Sequence, residues 1–176
     1  MTGYALTANP YLCSLTLYYR SLMYRLLVLV PFLMSLQAFA QNNIGKDRAF
    51  ISRYLDQYVA ANKAYKASWK TTESGIELTA LDEDGHPVYF RYTFDPESGK
   101  CMTEETVSSC ESCYRKYLDR LLAMKKYEWK KINENQYVSR FSDYLMIEIQ
   151  QDDNEFSFTL IKTDWTRPLY DLLKKD

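Results

Sequence analysis

Residues 100–118 read KCMTEETVSSCESCYRKYL, with Cys101, Cys110 and Cys113 inside thirteen positions and the last two spaced C-x-x-C. Three chemistries suit such a group: a structural disulfide, a redox-active thiol pair, or a metal site. A C-x-x-C at the first turn of a helix has its thiolate stabilised by the helix dipole, as an attacking cysteine requires. The surroundings of a thioredoxin-type motif are absent, since no buried parallel strand and no tryptophan precede it. Haem attachment needs C-x-x-C-H, and Tyr114 stands where the histidine belongs.

Zinc needs four ligands, and His86 is the sole histidine. A three-cysteine, one-histidine set is chemically possible. However, the pattern puts Cys101 in an irregular stretch and His86 in a hairpin turn at the far end of a strand, so no metal is expected. The favoured reading is a bridge from Cys101 to Cys110 or Cys113, pinning the loop before a helix. Closing so short a loop contributes roughly 2–3 kcal/mol in the chain-entropy picture. A direct Cys110–Cys113 bond is the more strained and more reactive alternative. The odd count leaves a free thiol or an intermolecular bond.

These readings depend on compartment. Residues 23–40, MYRLLVLVPFLMSLQAFA, run from a basic start through an apolar stretch to Ala38-Phe39-Ala40, the logic of a secretory signal peptide. The apolar run is short for a membrane span, which takes about 20 residues. Residues 1–22 carry a single charge, Arg20, and fit an over-long N-terminal extension. Cys13 lies within it, without the preceding apolar stretch of a lipoprotein signal. A mature chain over 41–176 suits one domain, exported to the periplasm or beyond, where disulfides persist. Its net charge is −3, which argues against nucleic acid as a partner. The membrane enters only through the export segment.

The elements that must hold these residues follow from periodicity. Over 47–66, Phe50, Ile51, Tyr54, Leu55, Tyr58 and Val59 recur at helical spacing. GIELTAL (75–81) alternates as a strand, DEDGHP (82–87) is turn chemistry, and VYFRYTF (88–94) puts Val88, Phe90, Tyr92 and Phe94 on one face. Residues 101–107 read as a short strand or an extended loop. A second helix over about 109–127 carries Tyr114, Tyr117, Leu118, Leu121 and Leu122, with Ser108 and Glu111 spaced as a capping box. Further strands bring Leu145, Ile147 and Ile149, then Phe156, Phe158 and Leu160, onto one face. A short amphipathic segment starts at Pro168.

The class is therefore α+β, helices packed on antiparallel sheet, in the order α-β-β-(β)-α-β-β-β-α. Arg53-Tyr54-Leu55-Asp56 echoes Lys116-Tyr117-Leu118-Asp119, and Trp69 and Trp129 each follow a helix, which suggests two α-plus-meander units. In element order alone the chain resembles PepSY-type domains and the β-lactamase-inhibitor family. The resemblance implies helices laid on antiparallel sheet and transfers no site.

Other chemistry is thin. No nucleophile-elbow, zincin or phosphate-loop motif occurs. His86, with Asp82, Glu83 and Asp84, reads as solvated turn, as do Asp152, Asp153 and Asn154. Arg115, Lys116, Arg120, Lys125, Lys126, Lys130 and Lys131 read as the wet side of a helix and its exit. Trp165 is expected to anchor the C-terminal segment. Tyr89 and Arg91, beside Tyr137 or Tyr144, have the composition of a binding surface. The expected function is thus an exported, non-catalytic domain without cofactor. It would bind a protein, peptide or envelope ligand through an aromatic-rich sheet face. The alternative is thiol redox chemistry or cysteine-linked assembly through Cys110 and Cys113.

Overall fold

A computed structural model describes residues 42–140, 143–152 and 154–173. The N-terminal extension with Cys13 and the signal-like segment lie outside the described residues. No helix among the described residues is long and apolar enough to cross a membrane.

The first helix, α1, spans Arg48–Ala61 and starts where Asp47 accepts the Phe50 N–H on its carboxylate. It buries Ile51, Leu55 and Tyr58, one stripe at helical spacing. It ends earlier than the periodicity predicts, because the Asn62 side chain donates to the Tyr58 carbonyl. A tight turn, Lys63–Tyr65, and left-handed Lys66 (φ 48°) then redirect the chain into β1, Ser68–Thr71. The second helix, α2, spans Glu111–Leu122 and buries Cys113, Tyr114 and Leu118. It too stops early, at a tight turn over Lys125–Tyr127, with left-handed Glu128 (φ 49°) before β5, Lys130–Asn133.

The remaining strands are β2 (Gly75–Leu81), β3 (Pro87–Phe94), β4 (Cys101–Ser108), β6 (Gln136–Val138), β7 (Leu145–Asp152) and β8 (Glu155–Lys162). Residues 101–107 thus form a full strand. Each half has one strand more than the expected order; in the first half it is β1, too short and exposed to betray itself by alternation.

All eight strands make one antiparallel sheet in the order β1-β2-β3-β4-β8-β7-β6-β5. The order is symmetric about the β4–β8 seam, each half being a helix, a tight turn and a four-strand meander. The chain is α+β, as the helical and period-two patterns predict.

One face of the sheet carries the core. Ile76, Leu78 and Ala80 on β2 stand opposite Tyr92, Phe90 and Val88 on β3. Leu160 and Phe158 on β8 stand opposite Ile147 and Ile149 on β7. Ile51, Leu55, Ile76, Leu78, Val88 and Ile147 are at most 1% exposed, and full burial of such a side chain is worth about 1.5–3 kcal/mol. Gly75 is required where β2 meets β3, since a Cβ there would run into the Tyr92 carbonyl.

The C-terminal helix, α3, spans Arg167–Leu172. Its anchor is Tyr170, whose hydroxyl donates to the Glu128 carbonyl while Lys130 Nζ lies 4.1 Å from its ring. Trp165, the expected anchor, is half-buried just before it.

Candidate functional site

In an antiparallel meander the exit of β2, the entry of β3 and the exit of β4 share one end of the sheet. The β2–β3 turn, residues 82–86, therefore meets the start of α2, which follows β4 after two residues. Asp82 shapes the turn by accepting the Asp84 and His86 N–H groups on Oδ1, at 2.9 and 2.8 Å. Gly85 supplies the positive φ of 84°. Ser108 locks turn to helix: its hydroxyl donates to the Pro87 carbonyl and accepts the Cys110 N–H, both at 3.1 Å. Ser108 is therefore not the helix cap. It belongs to β4 with its side chain buried, and Cys110 takes the cap position instead.

Cys110 Sγ accepts the Cys113 N–H at 3.2 Å, as a serine or aspartate oxygen would. Cys110 and Cys113 sit at disulfide distance with their Cα atoms 5.3 Å apart. Cys113 is fully buried and Cys110 half-buried at the helix tip.

Two turn residues complete the cluster. Asp82 Oδ2 lies 2.8 Å from Cys113 Sγ, and His86 Nδ1 lies 3.7 Å from it. The Asp82 side chain is 5% exposed and that of His86 53%. Sequence reasoning assigned both to solvated turn. The signal it passed over is the meander itself, which sends this turn and the C-x-x-C to the same sheet end. Lys116 Nζ, 3.6 Å from Glu83, adds a second link between helix and turn.

Cys101 is a correction. It stands at the opposite end of β4, roughly 23 Å along the strand from the helix start, whereas a disulfide needs Cα atoms within about 7 Å. It is a free, buried thiol. Burial, then the nearby Glu104 carboxylate, pushes it up to about 12, so it does not ionise under ordinary conditions. Glu104 lies on the core face opposite Tyr92. It accepts the Asn43 N–H, and burial raises its carboxyl to about 8.

The four residues expected to form a binding face are dispersed. Tyr89 and Arg91 share the outer face, the guanidinium 6.0 Å from the ring. Arg91 is held between Glu77 on β2 and Glu105 on β4, at 3.1 and 3.3 Å. Tyr137 pairs with Ile147 and packs on the core side. Tyr144 is exposed in the turn before β7, with φ 53°. The outer face is a polar row, in which Lys70, Glu77, Arg91, Glu105, Thr159 and Glu148 follow one another across six strands.

The Cys110–Cys113 pair with Asp82 and His86 is thus the one place among the described residues where two cysteines at disulfide distance, a helix N-terminus, a carboxylate and an imidazole meet. Comparison with protein-family models, with curated proteins and with solved structures finds no match, so the site is read from its own geometry.

Proposed function

We propose that this chain performs thiol–disulfide exchange at Cys110–Cys113, in an oxidising compartment reached through the signal-like segment 23–40. The observation that carries the reading is the asymmetry of the pair. Cys110 sits at the helix tip, while Cys113 is sealed beneath it against Asp82, 2.8 Å away. The thiolate of a dithiol-bearing protein attacks Cys110 Sγ, and the Cys110–Cys113 bond breaks. Cys113 leaves as a thiolate, and it and later Cys110 take up the two protons that the partner's thiols gave up on ionising. The partner's second thiolate then attacks its own sulfur in the mixed disulfide and frees Cys110. The partner dithiol has become a disulfide, and the two electrons rest on Cys110 and Cys113. Within the reduced pair, the Cys113 thiol donates to Asp82.

Two measurements test this. In glutathione buffers, alkylation followed by intact mass should locate the pair at a potential well above the roughly −300 mV below which structural disulfides lie. Cys113→Ser should accumulate a mixed disulfide through Cys110, and Cys110→Ser should not. A pair that resists reduction to that limit, with no mixed disulfide, makes the bond a staple and ends the reading. Export is tested separately, by a mature N-terminus at Gln41.

A second reading keeps the outer sheet face as a surface for a protein, peptide or envelope ligand. Its support is a shallow groove of about 390 Å³ lined by Thr72, Glu77, Arg91, Thr93, Thr103 and Glu105. Hydroxyls and an Arg flanked by carboxylates suit a polar strand-like ligand better than an aromatic-seeking one. Arg91→Ala should abolish capture of such a ligand and leave thiol exchange unchanged.

A further inference from the structure

The same four side chains have a donor set that disulfide chemistry alone does not require. We infer that, once the Cys110–Cys113 bond is reduced, Cys110, Cys113, Asp82 and His86 hold one divalent cation of the zinc type. The inference uses the redox reading only in that the bond must be reducible.

One ligand atom from each residue lies within 4.8 Å of all the others. A tetrahedral zinc with bonds of about 2.0–2.3 Å separates its ligand atoms by roughly 3.3–3.8 Å. Cys113 Sγ to His86 Nδ1 is 3.7 Å. Cys113 Sγ to Asp82 Oδ2, at 2.8 Å, must open by under an ångström. Breaking the disulfide lets the two sulfurs part, and C-x-x-C on a helix start is a spacing zinc sites use.

The supports around the ligands point the same way. The Asp84 and His86 N–H groups hold Asp82 Oδ1, so the carboxylate is aimed before any ion arrives. The Cys113 N–H donates to Cys110 Sγ, a bond that favours the thiolate. Two thiolates with one imidazole and one carboxylate favour zinc or cobalt over magnesium or calcium.

The balance is simple. A dithiol reductant becomes a disulfide and delivers two electrons and two protons to Cys110 and Cys113. Metal binding then releases the two thiol protons to solvent. Reoxidation by a disulfide-bearing partner, which takes the two electrons and two solvent protons to become a dithiol, forms the S–S bond and ejects the ion, so disulfide and metal exclude one another.

The test is a Co²⁺ titration of the full chain under anaerobic conditions, reduced by a phosphine. Thiolate-to-cobalt absorption reports binding, and Zn²⁺ should displace it. One equivalent is expected for the reduced chain and none for the oxidised chain. His86→Ala, a change on an exposed turn, should weaken binding about tenfold or more, with circular dichroism verifying the fold. A Cys110→Ser/Cys113→Ser double variant should bind none. The inference is overturned if the reduced chain takes up no Co²⁺, or if the double variant binds equally well. Glutathione exchange without Co²⁺ uptake sinks the metal site and leaves the redox reading. Co²⁺ uptake by a pair that glutathione never equilibrates does the reverse.

Discussion

The two halves of the molecule answer one structural question differently. Asp47 caps α1 by accepting the Phe50 N–H at 2.7 Å, and Cys110 caps α2 by accepting the Cys113 N–H at 3.2 Å. These positions correspond. A shift of 63 residues carries Asp47 onto Cys110, Phe50 onto Cys113, Ile51 onto Tyr114 and Leu55 onto Leu118. The first half therefore displays what the architecture needs there: a polar cap and an apolar residue beneath it. The second half puts two sulfurs at those positions, and the β2–β3 turn of the first half sets a carboxylate and an imidazole beside them. Starting a helix does not require that set, which is why the difference marks the site.

The central strands differ as well. On the core face β4 offers Glu104, Thr106 and Ser108, while its neighbour β8 offers Leu160, Phe158 and Phe156 directly opposite. The second half is lined with hydrocarbon at the seam. The first spends the same positions on polar groups that tie down Asn43 and the start of α2.

The comparison can be broken in several ways. Leu55→Ala and Leu118→Ala should each cost about 2–5 kcal/mol in urea unfolding, because both leave a cavity under a helix. A large inequality would mean that the halves do not share one core logic. Cys110→Ser/Cys113→Ser should cost less, about 2 kcal/mol by loop entropy over so short a closure, read as a shift in urea midpoint. A larger loss would move the bond from reactive to structural.

Glu104→Gln tests the polar strand through pH. Burial raises the Glu104 carboxyl from the usual 4.5 to about 8. A raised acid favours the folded state when protonated. Its stabilisation is therefore complete below about 4.5 and lost as pH climbs through about 8. Wild type should lose urea midpoint relative to Glu104→Gln across that window, and end below it at pH 9. Parallel curves would place the carboxylate in water.

The smallest effect belongs to the ordinary cap. The Phe50 N–H holds the Asp47 carboxyl below its usual value. Asp47→Ala should thus lower the melting temperature slightly at neutral pH. The gap should close as acid protonates the carboxylate, since a depressed acid stabilises only above its folded pKa. Cys110→Asp should cap α2 just as well while removing the thiol, with helix content unchanged by circular dichroism.

Much of this architecture was legible along the chain. Ile51, Leu55 and Tyr58 at helical spacing, and Val88, Phe90 and Tyr92 at spacing two, dictate which faces are buried, since apolar periodicity must match backbone geometry. The Arg53-Tyr54-Leu55-Asp56 echo marked the repeat. Strand β1 was hidden because its four residues face solvent on most sides and carry no alternation. Tyr137 was misassigned in facing, since a three-residue strand gives no period from which to read it.

The site divides along the same line. That two cysteines begin a helix, and that His86 and Asp82 occupy a tight turn, is local information held in C-x-x-C and D-E-D-G-H-P. That turn and helix start meet is not local. It follows from the parity of the meander and from Ser108 bridging Pro87 to Cys110. The partner of each cysteine was likewise beyond local reading. Cys101 and Cys110 are nine residues apart in sequence, yet an eight-residue extended strand holds them at opposite ends of the sheet. Composition and spacing determine which groups can react, and only strand direction in three dimensions decides which of them meet.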